Sequence, residues 1–229
     1  MKVILLDIEG TTTPVTFVYD VLFPFARKHL ESFIEKNFED SQVQEACKLL
    51  KAEHSEDQSS ASPPEFSDTA GAVSAYCLWL MDQDRKSTGL KLLQGLIWDQ
   101  GYKSGELKGV VYPDFVPALN QWKKEDKQIF IYSSGSVHAQ KLLFGYSSEG
   151  DLLSFFEGHF DTKIGSKKEA SSYERISKTI NVAPSEVSFF SDNIDELDAA
   201  QKAGMDPIFV SRDGFQAPRE HNYQTIEAF

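Results

Sequence analysis

Four apolar residues, Val3-Ile4-Leu5-Leu6, run straight into Asp7-Ile8-Glu9-Gly10-Thr11-Thr12. An apolar run without alternation reads as a strand buried on both faces, the pattern of a parallel sheet covered by helices. The acids fall at its C-terminal end, the edge where open α/β sheets place their ligands. Asp7 and Glu9 are two apart, so both side chains point the same way while the strand pairing lasts. Two carboxylates that close repel each other unless a proton or a cation joins them. A hard cation with oxygen ligands, Mg²⁺, is the natural candidate. Alone, the motif is equally a solvated strand end, so its reading depends on the rest of the chain.

The rest divides in two. Residues 15–107 look almost wholly helical. Phe17, Val21, Leu22, Phe25, Leu30, Phe33 and Ile34 recur at helical spacing, with a kink expected at Pro24. Further helices are expected over 41–53, 67–83 and 88–100, and an exposed polar loop over 54–65, which ends in Pro63-Pro64. From about 110, strands and helices alternate. Pro113 opens a helix with Asp114 in its first turn. Strands are expected at 129–132, 156–160, 187–190 and 208–210. Helices are expected through Leu143, over 169–180 and over 194–202, the last closed by Gly204. Alternation of this kind implies right-handed crossovers and a Rossmann-like, doubly wound parallel sheet. The helical block is then an insertion after the first strand.

The bulk numbers suit this α/β class. The 229 residues fit one domain with an insertion, or two small domains. A formal net charge of −12 argues against non-specific nucleic-acid binding and against anionic membrane surfaces. No apolar stretch approaches a membrane span, and no signal-peptide pattern precedes the first strand. The cytoplasm is the expected compartment, with the nucleus left open. Cys47 and Cys77 form no metal-ligand or redox spacing and fit a packing role.

Three expected strands end in polar clusters: Asp7-Ile8-Glu9, Ser133-Ser134-Gly135 and Ser191-Asp192-Asn193. In a parallel sheet these ends share one edge. Lys167-Lys168 lies between the second and third, near a helix start. Each part has an ordinary reading as a turn, a cap or a solvated pair. Together they supply what metal-assisted phosphoryl transfer needs. One carboxylate can be the nucleophile and another can help hold Mg²⁺. Hydroxyls, backbone amides and a lysine can hold phosphoryl oxygens.

The order Asp7-x-Glu9-Gly10-Thr11, Ser133, Lys167, Asp192 resembles the haloacid dehalogenase-like hydrolases. Glu9 departs from the usual Asp of that superfamily and resembles the variant of its enolase-phosphatase (acireductone synthase) family, from methionine salvage. The stretches Ile131–Val137, Ala139–Gly145, Gly158–Gly165 and Gln94–Gly105 also resemble that family. The resemblance implies a catalytic core at 1–14 and 108–229 and a helical cap at 15–107. It implies Asp7 as nucleophile and Asp7, Glu9 and Asp192 around one Mg²⁺ per chain. Glu9 would touch the metal through its side chain or its carbonyl, the latter leaving the carboxylate free for proton transfer. Ser133, Ser134 and Lys167 would hold substrate phosphate, with Lys168 the rival of Lys167. Glu196 would stand behind the metal site, with Asp195 its rival. The implied reaction converts 2,3-diketo-5-methylthiopentyl 1-phosphate to the acireductone and phosphate, in a monomer. A phosphatase of another small metabolite, without enolisation, is the alternative. The aromatics Phe17, Tyr19, Phe23, Trp79 and Trp98 are expected mostly in the core. Gly101 and Gly105 read equally as a hinge or a tight turn.

Overall fold

The computed structural model describes residues 2–57, 62–212, 214–215 and 217–229. Six strands pair in parallel: β1 (Val3–Leu6), β2 (Gln128–Tyr132), β3 (Gly158–Phe160), β4 (Val187–Ser191), β5 (Asp206–Val210) and β6 (Gln224–Ile226). Their order is β3-β2-β1-β4-β5-β6. The chain therefore moves outward from β1 on one side, then restarts beside β1 with β4 and moves outward on the other. Where the order reverses, the connections leaving β1 and β4 turn to opposite faces and open a crevice at the strand ends. The register sets Leu5 beside Phe130 and beside Phe189.

Four helices accompany the sheet: α5 (Phe115–Lys124), α6 (Val137–Gly145), α7 (Ala170–Thr179) and α8 (Ile194–Lys202). Tyr173 and Ile176 of α7 and Leu197 and Ala200 of α8 pack with Val3, Leu5, Tyr132 and Phe189 in one buried cluster. Burying each such large apolar side chain contributes about 1.5–3 kcal/mol, which makes the middle of the sheet a rigid base for the loops at its edge.

Contacts divide the chain into two compact units, Met1–Val18 with Lys108–Phe229, and Tyr19–Leu107. The second unit holds α1 (Phe23–Asn37), α2 (Ser41–Glu56), α3 (Ala70–Asp82) and α4 (Thr88–Ser104). Leu30, Ile34, Leu50, Tyr76, Leu93 and Ile97 share its core. Asp40, Thr69 and Ser87 accept backbone N–H bonds at the starts of α2, α3 and α4, so each start satisfies an otherwise orphaned donor.

Several expectations need correction. Pro24 does not kink a long helix; a six-residue π-helix, Phe17–Leu22, comes first, and Pro24 sits in the first turn of α1, where its missing N–H costs nothing. Helix α2 continues through Glu56, so only the later part of the expected 54–65 loop lacks regular structure, and residues 58–61 fall outside the described residues. Gly101 is inside α4, where a Cβ would lie 2.6 Å from the Phe25 ring, and Gly105 closes that helix at φ +80°. Asp114 precedes α5 rather than entering its first turn, and its carboxylate is bound to Arg212. Tyr19 and Phe23 are exposed rather than core, and make ring contacts with each other and between Phe23 and Trp98. Strand β6 was not expected, because its residues carry no apolar run. Both cysteines are free and buried. Among the described residues no helix is long and apolar enough to cross a membrane.

Candidate active site

Asp7 follows β1 directly and is 4 % exposed. Its N–H donates to the Phe190 carbonyl at 3.0 Å, so pairing with β4 holds the backbone up to this residue. Oδ1 accepts the Ile8 N–H at 2.8 Å and faces Lys167 Nζ at 2.5 Å. The chain then turns tightly: the N–H groups of Thr11, Thr12 and Thr13 all reach the Ile8 carbonyl. Gly10 makes the turn at φ +71°, a conformation that L side chains rarely adopt. A Cβ on Gly10 would stand 2.1 Å from Asp192 Oδ2, so the β1 loop and the end of β4 meet only because that residue is glycine.

The end of β2 supplies the second cluster. The Ser133 hydroxyl is fully buried, accepts the Gly135 N–H at 3.1 Å and donates to Glu9 Oε2 at 3.2 Å. Ser134 is exposed on the same turn. Burial first, then the neighbouring Asp7, pushes the Glu9 carboxyl above its ordinary range, against the pull of Lys167.

Lys167 and Lys168 separate cleanly. Lys167 is 7 % exposed and lies between Asp7 and Glu196 Oε2, the latter at 2.6 Å. Burial alone would lower its pKa, but the two acids outweigh that and hold it above its ordinary value. Its backbone is tied down by two buried tyrosines: Tyr132 donates to the Gly165 carbonyl at 3.0 Å, and Tyr173 to the Lys167 carbonyl at 2.7 Å. Lys168 is exposed and pairs with Asp195, which also binds Arg219. The structure thus brings Lys167 and Glu196 to Asp7 and leaves Lys168 and Asp195 at the surface.

Asp192 completes the ring of acids. Burial, then Asp7, pushes its carboxyl up to about 7, and Lys167 only partly offsets this. Burial and Asp7 likewise raise Glu196. Four carboxylates, those of Asp7, Glu9, Asp192 and Glu196, therefore crowd a site with a single buried ammonium, which pairs with Asp7 and Glu196. A divalent cation taking oxygen ligands fits that imbalance and the crowding of Asp192 against Gly10. Among the described residues, no three His, Cys, Asp or Glu side chains are arranged to hold a metal unaided. The Glu9 side chain turns to Ser133 instead of joining the two aspartates. Mg²⁺ tolerates such a partial set, since it keeps waters and takes substrate oxygens beside one or two carboxylates.

Ser191 and Arg212 also contribute, although the sequence assigns neither of them a role. Ser191 reads as a turn residue, yet its buried hydroxyl reaches Asp7 and Glu196. Arg212 is 6 % exposed, donates to the Thr11 carbonyl at 3.2 Å and pairs with Asp114, which fastens the Asp7 turn from behind. Its guanidinium lies 4.5 Å from the Tyr112 ring and 4.7 Å from that of Phe229.

A parallel sheet in this order, with a buried aspartate after β1, a hydroxyl after β2, and a lysine and an aspartate beside β4, defines a class that the family model for haloacid dehalogenase-like hydrolases matches over residues 1–204. Such hydrolases generally use Mg²⁺. Enolase-phosphatase E1 of Pseudomonas fluorescens (strain Pf0-1) is 45% identical over 229 residues, covering 100% of the chain and 96% of the relative. Enolase-phosphatase E1 of Danio rerio is 44% identical over 243 residues, covering 100% and 93%. The crystal structure of the UTR4 protein of Saccharomyces cerevisiae superposes with a TM-score of 0.80 at 38% identity, covering 100% of this chain and 98% of that one. The chain belongs to the enolase-phosphatase family of haloacid dehalogenase-like hydrolases, and it is a phosphatase enzyme.

Proposed function

We propose that this enzyme converts 2,3-diketo-5-methylthiopentyl 1-phosphate to the acireductone and inorganic phosphate, with Asp7 as the nucleophile. The observation that carries the proposal is the state of Asp7: a buried carboxylate at the sheet's switch point, faced by Lys167 at 2.5 Å and by the loops bearing Ser133 and Asp192. Full-length identity to enolase-phosphatases supports the choice of substrate.

The first step removes a proton beside a carbonyl and returns one to the oxygen, giving an enol phosphate. Glu9 is the candidate base. Its carboxylate reaches Ser133, and burial with the neighbouring Asp7 raises its pKa above the ordinary carboxylate range, which makes it a stronger base. In the second step an Asp7 oxygen attacks phosphorus, the bond to the enol oxygen breaks, and that oxygen leaves as the acireductone. Water then cleaves the aspartyl-phosphate. Lys167 and the turn at Ser133 and Ser134 offset the charge of the phosphoryl oxygens throughout. Asp7, Asp192 and a Glu9 oxygen would hold one Mg²⁺ per chain, which when bound screens the phosphoryl charge and polarises oxygen.

The helical unit, residues 19–107, serves as a cap that excludes water and selects the leaving group. The protein acts as a monomer in the cytoplasm. The test is phosphate release from the diketone phosphate with and without Mg²⁺, followed with the ultraviolet absorbance of the enol. Mg²⁺-dependent release with a transient enol, abolished by Asp7→Asn, is expected. Release from simple esters with no enol would refute the substrate. A Glu9→Gln variant that still exchanges the substrate proton at the normal rate would remove Glu9 as base.

A further inference from the structure

Ser191 ends β4 and is fully buried, and the mechanism above leaves it without a task. Its hydroxyl is the fourth corner of a closed ring. Lys167 Nζ lies 2.5 Å from Asp7 Oδ1 and 2.6 Å from Glu196 Oε2. Ser191 Oγ lies 3.2 Å from Asp7 Oδ2 and 3.1 Å from that same Glu196 oxygen. The Asn193 N–H donates to Ser191 Oγ at 3.1 Å.

A hydroxyl has one proton and two lone pairs. The Asn193 amide engages a lone pair and so turns the proton toward the acids. Two carboxylates compete for it, and only one can receive it at a time. In the free enzyme Asp7 is held on both oxygens, by Ile8 and Lys167 on one side and by Ser191 on the other. That fixes the plane of the carboxylate, and with it the line along which an oxygen can approach phosphorus.

We propose that Ser191 is a positioning residue for the nucleophile, holding Asp7 before phosphoryl transfer and turning to Glu196 while Asp7 carries the phosphoryl group. The proposal rests on Asp7 as the nucleophile, the reading given above. Once esterified, Asp7 has lost its full negative charge and is the weaker acceptor, whereas Glu196 still faces Lys167 and is the stronger. The O–H bond stays intact throughout; the hydroxyl only rotates. Without the hydroxyl, the Asp7 carboxylate loses the Ser191 donor on Oδ2 and turns more freely about its Cβ–Cγ bond, out of line for attack.

The experiment measures kcat, KM and thermal midpoint at saturating Mg²⁺ for Ser191→Ala, Ser191→Thr, Glu196→Gln, the double variant Ser191→Ala with Glu196→Gln, and Asp7→Asn. Ser191→Ala should lower kcat by about 10- to 100-fold, the size expected for a lost hydrogen bond to a charged group. Its KM should stay within about twofold, since ground-state binding does not use the hydroxyl. Ser191→Thr restores the hydroxyl and should recover most of kcat. The double variant should lose less than the product of its two single losses, because both act through one ring. Wild-type kcat in Ser191→Ala, equal losses in the Ala and Thr variants, or a change confined to KM would each overturn the proposal. Turnover by Asp7→Asn would instead overturn the nucleophile, separating the two failures.

Discussion

Replacing Gly10 with alanine tests how the β1 loop and β4 share one small space. Two costs arise. An L residue at φ +71° costs about 1–2 kcal/mol of backbone strain. The added methyl would begin 2.1 Å from Asp192 Oδ2 and 2.7 Å from its Cγ. Ordinary contact needs about 3.4 Å or more, so the carboxylate must retreat by over 1 Å or the turn must open. A misplacement of about 1 Å in a reacting constellation costs about 100-fold. Gly10→Ala should therefore lower kcat/KM by about 100-fold and raise the Mg²⁺ concentration needed for half-maximal activity. Gly150 provides the control: it sits at φ +92° with nothing within 4 Å of its would-be Cβ. Gly150→Ala should carry the strain alone, lowering the thermal midpoint by about 2–8 °C with kcat/KM unchanged. Steady-state kinetics across a Mg²⁺ titration, with thermal unfolding of both variants, decides the matter. Wild-type kinetics in Gly10→Ala, or an equal loss in Gly150→Ala, would refute the steric argument.

Lys167→Met should lower kcat/KM by about 100-fold or more, while exposed Lys168→Met changes it less than about twofold; equal effects in phosphate release would erase the distinction drawn from burial. Burial, then Lys141, pushes His159 down to about 4 from an ordinary 6.5. The unfolded chain thus takes the proton first: the stability is intact above pH 6.5 and is lost as pH falls toward 4. After allowance for partial exposure the loss is about 1–2 kcal/mol, and urea unfolding at pH 7.5 and 5 should show a shallower slope in His159→Gln; an identical slope would refute it. Arg212→Met leaves half-buried Asp114 without its cation and the Thr11 carbonyl without its donor. It should cost about 2 kcal/mol, or about 4–8 °C in thermal midpoint; an unchanged midpoint would show that the clamp carries no load.

The strands beside the site were legible because burial on both faces leaves an unbroken apolar run. Val3–Leu6 and Ile129–Tyr132 are such runs, Val187–Phe190 is interrupted only by the buried Ser188, and each stops at a polar residue. Strand β6 was not legible, since Gln224 and Thr225 are exposed at the sheet's edge and need no apolar pattern. The π-helix at Phe17–Leu22 shares its spacing with an α-helix too closely for residue periodicity to tell them apart. Within the site, spacing could bring acids to one edge but could not rank neighbours. Lys167 and Lys168, like Glu196 and Asp195, are adjacent in sequence, and only the path of the backbone decides which side chain turns inward. Ser191 and Arg212 act through partners 184 and 201 positions away. No local pattern records a contact of that kind.

The helical unit is spliced into the chain between Asp7 and most of the groups that surround it. Ser133, Lys167, Ser191, Asp192 and Glu196 all lie beyond Leu107. During synthesis the first strand emerges with no neighbour to pair with, and it waits while the helices form through short-range contacts. Only when β2 and β4 have been made can β1 dock and the aspartate acquire its surroundings. In refolding, helical signal should return early and turnover last. A chain caught between those stages would look largely folded by circular dichroism and have no activity at all.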